Sequence, residues 1–375
     1  MKPLNLLNRC TILSLRVTLF ISQLMGGTTF TYDTKIRKFR KSVWLQSHAM
    51  IFTLLLFFIV IFVVSLKGLF AYLGIIVRII CECIVLLMVR CHVHRYSDQC
   101  VRLLNEMQEM VHQLIVLAKH PNIFRVSHLL LLLLTLQSML RSLMMLVYSH
   151  ARFGFIFFCF STSLLFAFLL QVSINICLFI VLIACYEELQ QCTRRISNDV
   201  RTLRQAQVLE GGQLLVLVEQ LRGITEELIR LRMCIFRITT KLIKHYRFHW
   251  LWTILYWLTV SQTDTLTPVS GEEIIYKQIV ALLNIAFYCT IFEIFVWKSK
   301  LSRSFWNFHL TNYHVGFDRT IDELLHLEFV EDIKISVYGI RLDMKFLFKI
   351  VSIYILCIFV DIKANQERLP LQISN

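Results

Sequence analysis

Six apolar runs of about twenty residues or more decide what this chain can become. They cover 48–66, 69–90, 127–148, 153–186, 275–297 and 342–362, and a hydrocarbon core about 30 Å thick is crossed by about 20 mostly apolar residues in one helix. A seventh segment, 250–266, reads WLWTILYWLTVSQTDTL. Its last third is polar, but its Trp and Tyr residues match an interfacial belt. In lipid every backbone N–H and C=O needs an internal partner, so such runs become helices or a closed barrel. Only four of 375 residues are Pro, and no ten-residue stretches of alternating polarity stand out as barrel strands. The expectation is an all-α membrane protein with seven transmembrane helices.

Seven spans put the loops on alternating sides, where basic residues can be compared. Segments 1–47, 91–126, 187–249 and 298–341 hold 29 Lys and Arg. The other side holds Lys67, Arg152, Lys363 and Arg368, with Lys277 at a helix edge. Basic loops stay in the cytosol, so the N-terminus is expected inside and the C-terminus outside. If 250–266 did not span, the basic 298–341 loop would land outside, against the bias. The +14 net charge is thus spent on topology and gives no reason to invoke nucleic acid. The run 17–25 is too short to span and lacks a small-residue cleavage site, so it is expected along the inner interface. This threading is the reverse of a G-protein-coupled receptor, and neither a D/E-R-Y triplet nor N-P-x-x-Y is present.

The expected order is a cytoplasmic segment 1–47, helices one to four over 48–186, and a cytoplasmic helical loop 187–249. Helices five and six over 250–297, a cytoplasmic loop 298–341, the last helix 342–362 and an extracellular tail 363–375 complete it. The first long loop carries a seam at alternating steps of three and four: Leu214, Leu217, Leu221, Ile224, Leu228, Leu231, Ile235 and Ile238. Such a seam packs within its own chain or forms an oligomer interface below the membrane. The turn signal before it is Glu210-Gly211-Gly212. The fourth apolar run exceeds a bilayer and extends toward the cytosol, and DRTIDELLHLEFVEDIKISVYG in the last loop is amphipathic. Together these predict a membrane-proximal helical platform.

Polar residues inside the spans carry the remaining information, because an unpaired charge there costs about 3 kcal/mol or more. Arg78 and Glu82, four residues apart, are expected to pair as a structural ion pair. Arg141 and Glu293 have no local partner and would meet one another or line water. With Gln171 and Asn175 they are the candidate ligand-pocket residues, although hydrogen bonds between helices are the commoner use of such amides. On the last helix Lys345, Lys349 and Ser352 form one stripe. Tyr354, Cys357 and Asp361 form another, about 140° around the axis. A ring of Asp361 carboxylates from several subunits would attract cations. The twelve Cys leave no exterior pair for a disulfide, and Cys81/Cys83 and the CHVH of Cys91–His94 lack a second cluster. No metal, cofactor or catalytic residue is expected.

This layout resembles the insect gustatory receptors: fewer than four hundred residues, an inner N-terminus, seven spans, a long helical loop after the fourth and a short outer tail. Its local signature in that family is a Gly followed by a short apolar and acidic stretch, then Thr-Tyr, five apolar residues and Gln-Phe. Gly339-Ile340-Arg341-Leu342-Asp343 resembles the first part and Tyr354 the Tyr. Ile353 stands for the Thr, and Val360-Asp361 for Gln-Phe. The resemblance implies a tetrameric, ligand-gated, non-selective cation channel in the plasma membrane of gustatory sensory neurons, as homo- or hetero-tetramer with related receptors. It implies a last helix lining a central pore, with Tyr354, Cys357, Val360 and Asp361 as its candidates, and a small-molecule tastant entering among helices two to six. The partners are then the lipid bilayer, a tastant and cations.

Three other readings compete. A non-conducting subunit that needs co-receptors would fit the altered signature. A small-solute transporter would show internal repeats and Gly- or Pro-broken spans, and eleven Gly in all leave the spans unbroken. A membrane enzyme would rest on CHVHR at 91–95, the one cluster at a membrane edge.

Overall fold

The computed structural model describes residues 3–66, 73–119, 123–150, 155–205, 211–263, 271–300, 315–330, 333–353 and 355–356. Its helices are α1 (Pro3–Leu24), α2 (Val43–Leu66), α3 (Leu73–Arg95), α4 (Ser97–Ala118), α5 (Val126–His150), α6 (Phe155–Gln205), α7 (Gly211–Thr263), α8 (Gly271–Ser299) and α9 (Val315–Val330). A last helix, α10, covers 344–353 and 355–356. The seven apolar segments fall on α2, α3, α5, α6, the end of α7, α8 and α10. Three described stretches, Val126–Met144, Phe166–Thr202 and Gln278–Ser299, are long and apolar enough by themselves to cross a bilayer, and Val43–Leu55 is a shorter apolar one.

α6 sits at the centre, packed against α1, α2, α3, α4, α5, α7 and α8. Over 167–184 nearly all of its residues are buried, as suits a helix apolar on every face. Phe179 meets Phe292 and Phe295 of α8 edge-on, with ring centroids 5.2 and 5.4 Å apart. From Cys185 onward the pattern changes. Leu189, Cys192, Ile196 and Val200 form one buried stripe, while Arg194, Asn198, Asp199 and Arg201 are exposed. The expected overlong span is therefore an all-round apolar half joined to an amphipathic half. With 51 residues in α6 and 53 in α7, each is about 75–80 Å long at 1.5 Å per residue, more than twice the bilayer core.

α7 begins at Gly211, at the turn signal. Its seam divides. Leu221, Leu228, Leu231, Ile235 and Ile238 are buried within this chain, and α7 packs on α3, α4, α6, α8 and α9. Leu217 and Ile224 are exposed together with Leu215 and Val216, and the side chain of Leu214 lies outside the described ones. So the C-terminal part of the seam is used internally, and only the N-terminal part stays open for another subunit.

Two features are additions to the all-helical expectation. α4 lies where a loop over 91–126 was expected. Cys100, Leu103, Met107, Met110, Leu114 and Ala118 are buried along it, and Lys119 closes it in the left-handed region at φ 52°. The second is a pair of antiparallel hairpins, β1 (Phe30–Asp33) with β2 (Lys38–Lys41), and β3 (Ser336–Val337) with β4 (Ile340–Arg341). Asn105 of α4 clamps the first: its Oδ1 accepts the Phe39 N–H at 2.8 Å and its Nδ2 donates to the Phe39 carbonyl at 3.0 Å. An edge of so short a ribbon needs such a side-chain partner, since two strands alone are marginal.

The seam's division is testable. Ile238→Ala is expected to destabilise the purified protein by about 2–5 kcal/mol, as a core truncation. Ile224→Ala should cost under about 0.5 kcal/mol while weakening assembly. Thermal unfolding in detergent and the apparent mass on gel filtration read the two effects separately.

Candidate functional site

Three side-chain contacts set the relative depth of the polar residues on α5, α6 and α8. Ser138 Oγ donates to Asn284 Oδ1 at 2.6 Å, and Asn284 Nδ2 donates to Ser142 Oγ at 3.0 Å. Ser173 Oγ lies 4.0 Å from Met139 Sδ. In these antiparallel pairs Arg141 and Gln171 therefore share a level, with Asn175 four residues along α6. Gln171 and Asn175 are buried, and Gln171 Oε1 and Asn175 Oδ1 accept no hydrogen bond among the described residues. An unmet buried carbonyl costs about 1–3 kcal/mol, so this layer suits a ligand that brings hydroxyl or amine donors.

Glu293 does not join them. It lies nine residues beyond Asn284, about 13 Å along the axis, which also separates it from Arg141. Its Oε2 instead accepts the Met344 N–H at 3.2 Å, at the first turn of α10. Arg78 and Glu82 stand on α3, but their side chains, like the whole of Tyr354, Cys357, Val360 and Asp361, lie outside the described residues.

The root of α10 explains the Gly339–Asp343 stretch in physical terms. Tyr338 and Gly339 have φ of 47° and 87°, the two left-handed residues of a tight hairpin turn. The Leu342 N–H donates to the Ile335 carbonyl at 3.0 Å and closes the ribbon. Asp343 Oδ1 then accepts the Phe346 N–H at 2.9 Å, an N-cap. Leu347 and Ile350 face the bundle, while Phe348, Ile353, Ile355 and Leu356 are exposed, as are Lys345, Lys349 and Ser352.

At the far end of the α6 apolar half lies a charge network that the sequence reading missed. Glu187 Oε1 is 2.7 Å from Lys298 Nζ, and its Oε2 is 3.4 Å from His128 Nε2 and 3.5 Å from Arg125 Nη1. Arg125 and Arg195 flank Glu188 at 3.6 and 3.8 Å. Arg195 also donates to the Ala118 carbonyl at 2.7 Å, and Gln190 to those of Lys298 and Lys300, each at 2.8 Å. The ends of α4, α5 and α8 are thereby tied to α6. Burial alone would raise the Glu187 pKa; hydrogen bonds and charges of His128 and Lys298 outweigh it and hold it at about 2. The signal was an acid pair, Glu187-Glu188, directly after an apolar run.

A cavity of about 860 Å³ opens where the end of α3, the start of α4, the middle of α7 and the β3–β4 hairpin meet. It contains His92 of the CHVH motif, whose ring lies 5.4 Å from that of His245 and 4.8 Å from that of His249. Burial, then Arg95, lowers the His92 pKa to about 4; burial, then His92, lowers His245 to about 4; burial takes His249 well below its usual value. All three are neutral at neutral pH. Among the described residues no group of three or more His, Cys, Asp or Glu has the arrangement to hold a metal ion.

Because the Glu187 pKa is depressed, its stabilisation is present above pH 4.5 and is lost as pH falls toward 2. Glu187→Gln is expected to destabilise at neutral pH by about 3 kcal/mol and to flatten this acid limb, read from melting temperature against pH.

A comparison with protein-family models finds no match. Among curated proteins, Gustatory receptor-like 65a of Drosophila melanogaster is 44% identical over 370 residues, which cover 96% of this chain and 98% of that protein. Likeness at that level extends over nearly the whole of both chains, and the chain belongs to the insect gustatory receptor family.

Proposed function

We propose that this chain is a taste receptor subunit that forms, with copies or relatives, a ligand-gated, non-selective cation channel in the plasma membrane of gustatory sensory neurons. The observation that carries the reading is likeness along 96% of the chain to a protein named as gustatory receptor-like. In this reading α2, α3, α5, α6, the end of α7, α8 and α10 cross the bilayer, with the N-terminus in the cytosol. The 29 basic residues on one side against four or five on the other support that threading. The lower half of α6, with α4, most of α7 and α9, makes the cytoplasmic platform.

Two structural features fit an assembly around a pore. α10 keeps a mostly apolar face open, and the exposed seam residues Leu217 and Ile224 lie below the membrane. The tastant would sit at the Arg141, Gln171 and Asn175 layer, where unmet acceptors await donors. Glu293 acts there at a distance, through its cap on α10. Tyr354, Cys357, Val360 and Asp361 remain the pore-facing candidates. The replacement of Gln-Phe by Val360-Asp361 favours a second reading, a subunit that conducts only beside co-receptors.

Cells expressing the chain, alone or with sibling receptors, are expected to give a tastant-evoked cation current. Asp361→Asn should lower its divalent-to-monovalent permeability ratio, and an unchanged ratio removes Asp361 from the pore. A C-terminal epitope should be reachable on intact cells. One reachable only after permeabilisation would overturn the threading.

A further inference from the structure

The cavity at the end of α3 has a lining that taste reception does not account for. Its walls carry Arg95, Arg102, Lys241, Lys244 and Arg247 against a single acid, Glu106. Lys241 and Glu106 neutralise each other at 2.7 Å. The other four cations are exposed to the cavity or solvent and have no carboxylate partner among the described residues. Crowding four uncompensated cations around one hollow is unfavourable unless an anion joins them. Guanidinium and ammonium groups side by side match phosphate oxygens in geometry and charge.

The place of the cavity narrows the source of the phosphate. Met88, partly exposed, lies within the expected second span, and Phe248 lies two residues before the expected fifth. Lys241 is nine residues before Trp250, about 13 Å farther along α7. The hollow therefore runs from the hydrocarbon edge to a basic floor, apolar at one end and cationic at the other. His92 and His245, both neutral, stand between the two ends with Tyr96. Basic pockets between membrane helices on the cytoplasmic side suit anionic lipid headgroups.

We propose that this cavity binds the phosphorylated headgroup of an anionic inner-leaflet lipid, with its acyl chains toward Met88 and Phe248. Arg95, Arg102, Lys244 and Arg247 hold the phosphates. The proposal rests on the threading given above, which puts this end of α3 in the cytosol. It also reaches the gate: the Arg247 guanidinium lies 5.3 Å from the Tyr338 ring, and Tyr338 is the turn of the hairpin that leads into α10. A headgroup held on Arg247 thus bears on the root of the last helix.

The test uses the purified full chain in neutral detergent, titrated with dioctanoyl phosphatidylinositol bisphosphate, dioctanoyl phosphatidylcholine, inositol trisphosphate and inorganic phosphate. The bisphosphate lipid is expected to bind well above the other three. Replacing Arg95, Lys244 and Arg247 together by Gln should weaken it on the order of a hundredfold, at about 1 kcal/mol per basic residue. Lys244→Glu alone, at an exposed position, should weaken it at least tenfold, and Arg222→Gln, about 33 Å from Lys244 along α7, should leave it unchanged. Folding of each variant is checked by melting temperature. A folded triple variant that binds as well as the natural chain overturns the site, as does a lipid that binds no better than phosphatidylcholine. Inositol trisphosphate binding as tightly as the lipid overturns the lipid source. Binding in detergent does not depend on threading, so the C-terminal epitope alone decides that question.

Discussion

Between 167 and 184 nearly every residue of α6 is buried, so this mostly apolar stretch is surrounded on every side. Around this part the other membrane helices find their places: α5 antiparallel to it beside Ser173, α8 parallel to it through Phe292 and Phe295 and tied to α5 by Ser138 and Asn284, and α7 through the aromatic stack at Phe179, Trp250 and Phe292. In lipid there is little hydrophobic force between helices, so shape and a few hydrogen bonds choose the register. Below it the requirement reverses. Only a stripe of α6 is apolar there, and α4 and α7 cover it as in a water-soluble bundle.

The change of regime is marked by charge. Glu187 and Glu188 gather Arg125, His128, Arg195 and Lys298 at the residue where the all-round apolar character stops. Buried ions are costly and hold only when paired and hydrogen-bonded. Arg125 and His128 stand at the start of α5 and Lys298 at the end of α8, so the network fixes where those two ends lie against α6, while Arg195 comes from α6 itself. The carbonyl oxygens of Gln171 and Asn175 are the opposite case: buried acceptors with no hydrogen-bond partner among the described residues, left for something else to satisfy.

Particular residues show what could be read without coordinates. The apolar runs announced their helices because about twenty such residues in a row have few other uses. The seam from Leu214 to Ile238 was legible as a helix face, but periodicity does not say what covers a face, and α7 turned out to pack on α3, α4, α6, α8 and α9. α4 itself was legible in principle, since Cys100, Leu103, Met107, Met110 and Leu114 keep helical spacing; its polar outer face made it look like a loop. Gly339 and Asp343 stood out as a motif, yet their roles as turn and cap required backbone dihedrals. Arg141 and Glu293 were expected to meet one another or to line water, and only the antiparallel register of α5 and α8 shows them at different levels.

The sequence alone determined the helical class and pointed to the family, because hydrophobic length acts locally along the chain. Tertiary structure alone decided which polar groups meet. The Glu187 network, the Asn284 bridge and the basic cavity each join residues from helices far apart in sequence, and a contact across such distances depends on rotation and register that no single segment encodes.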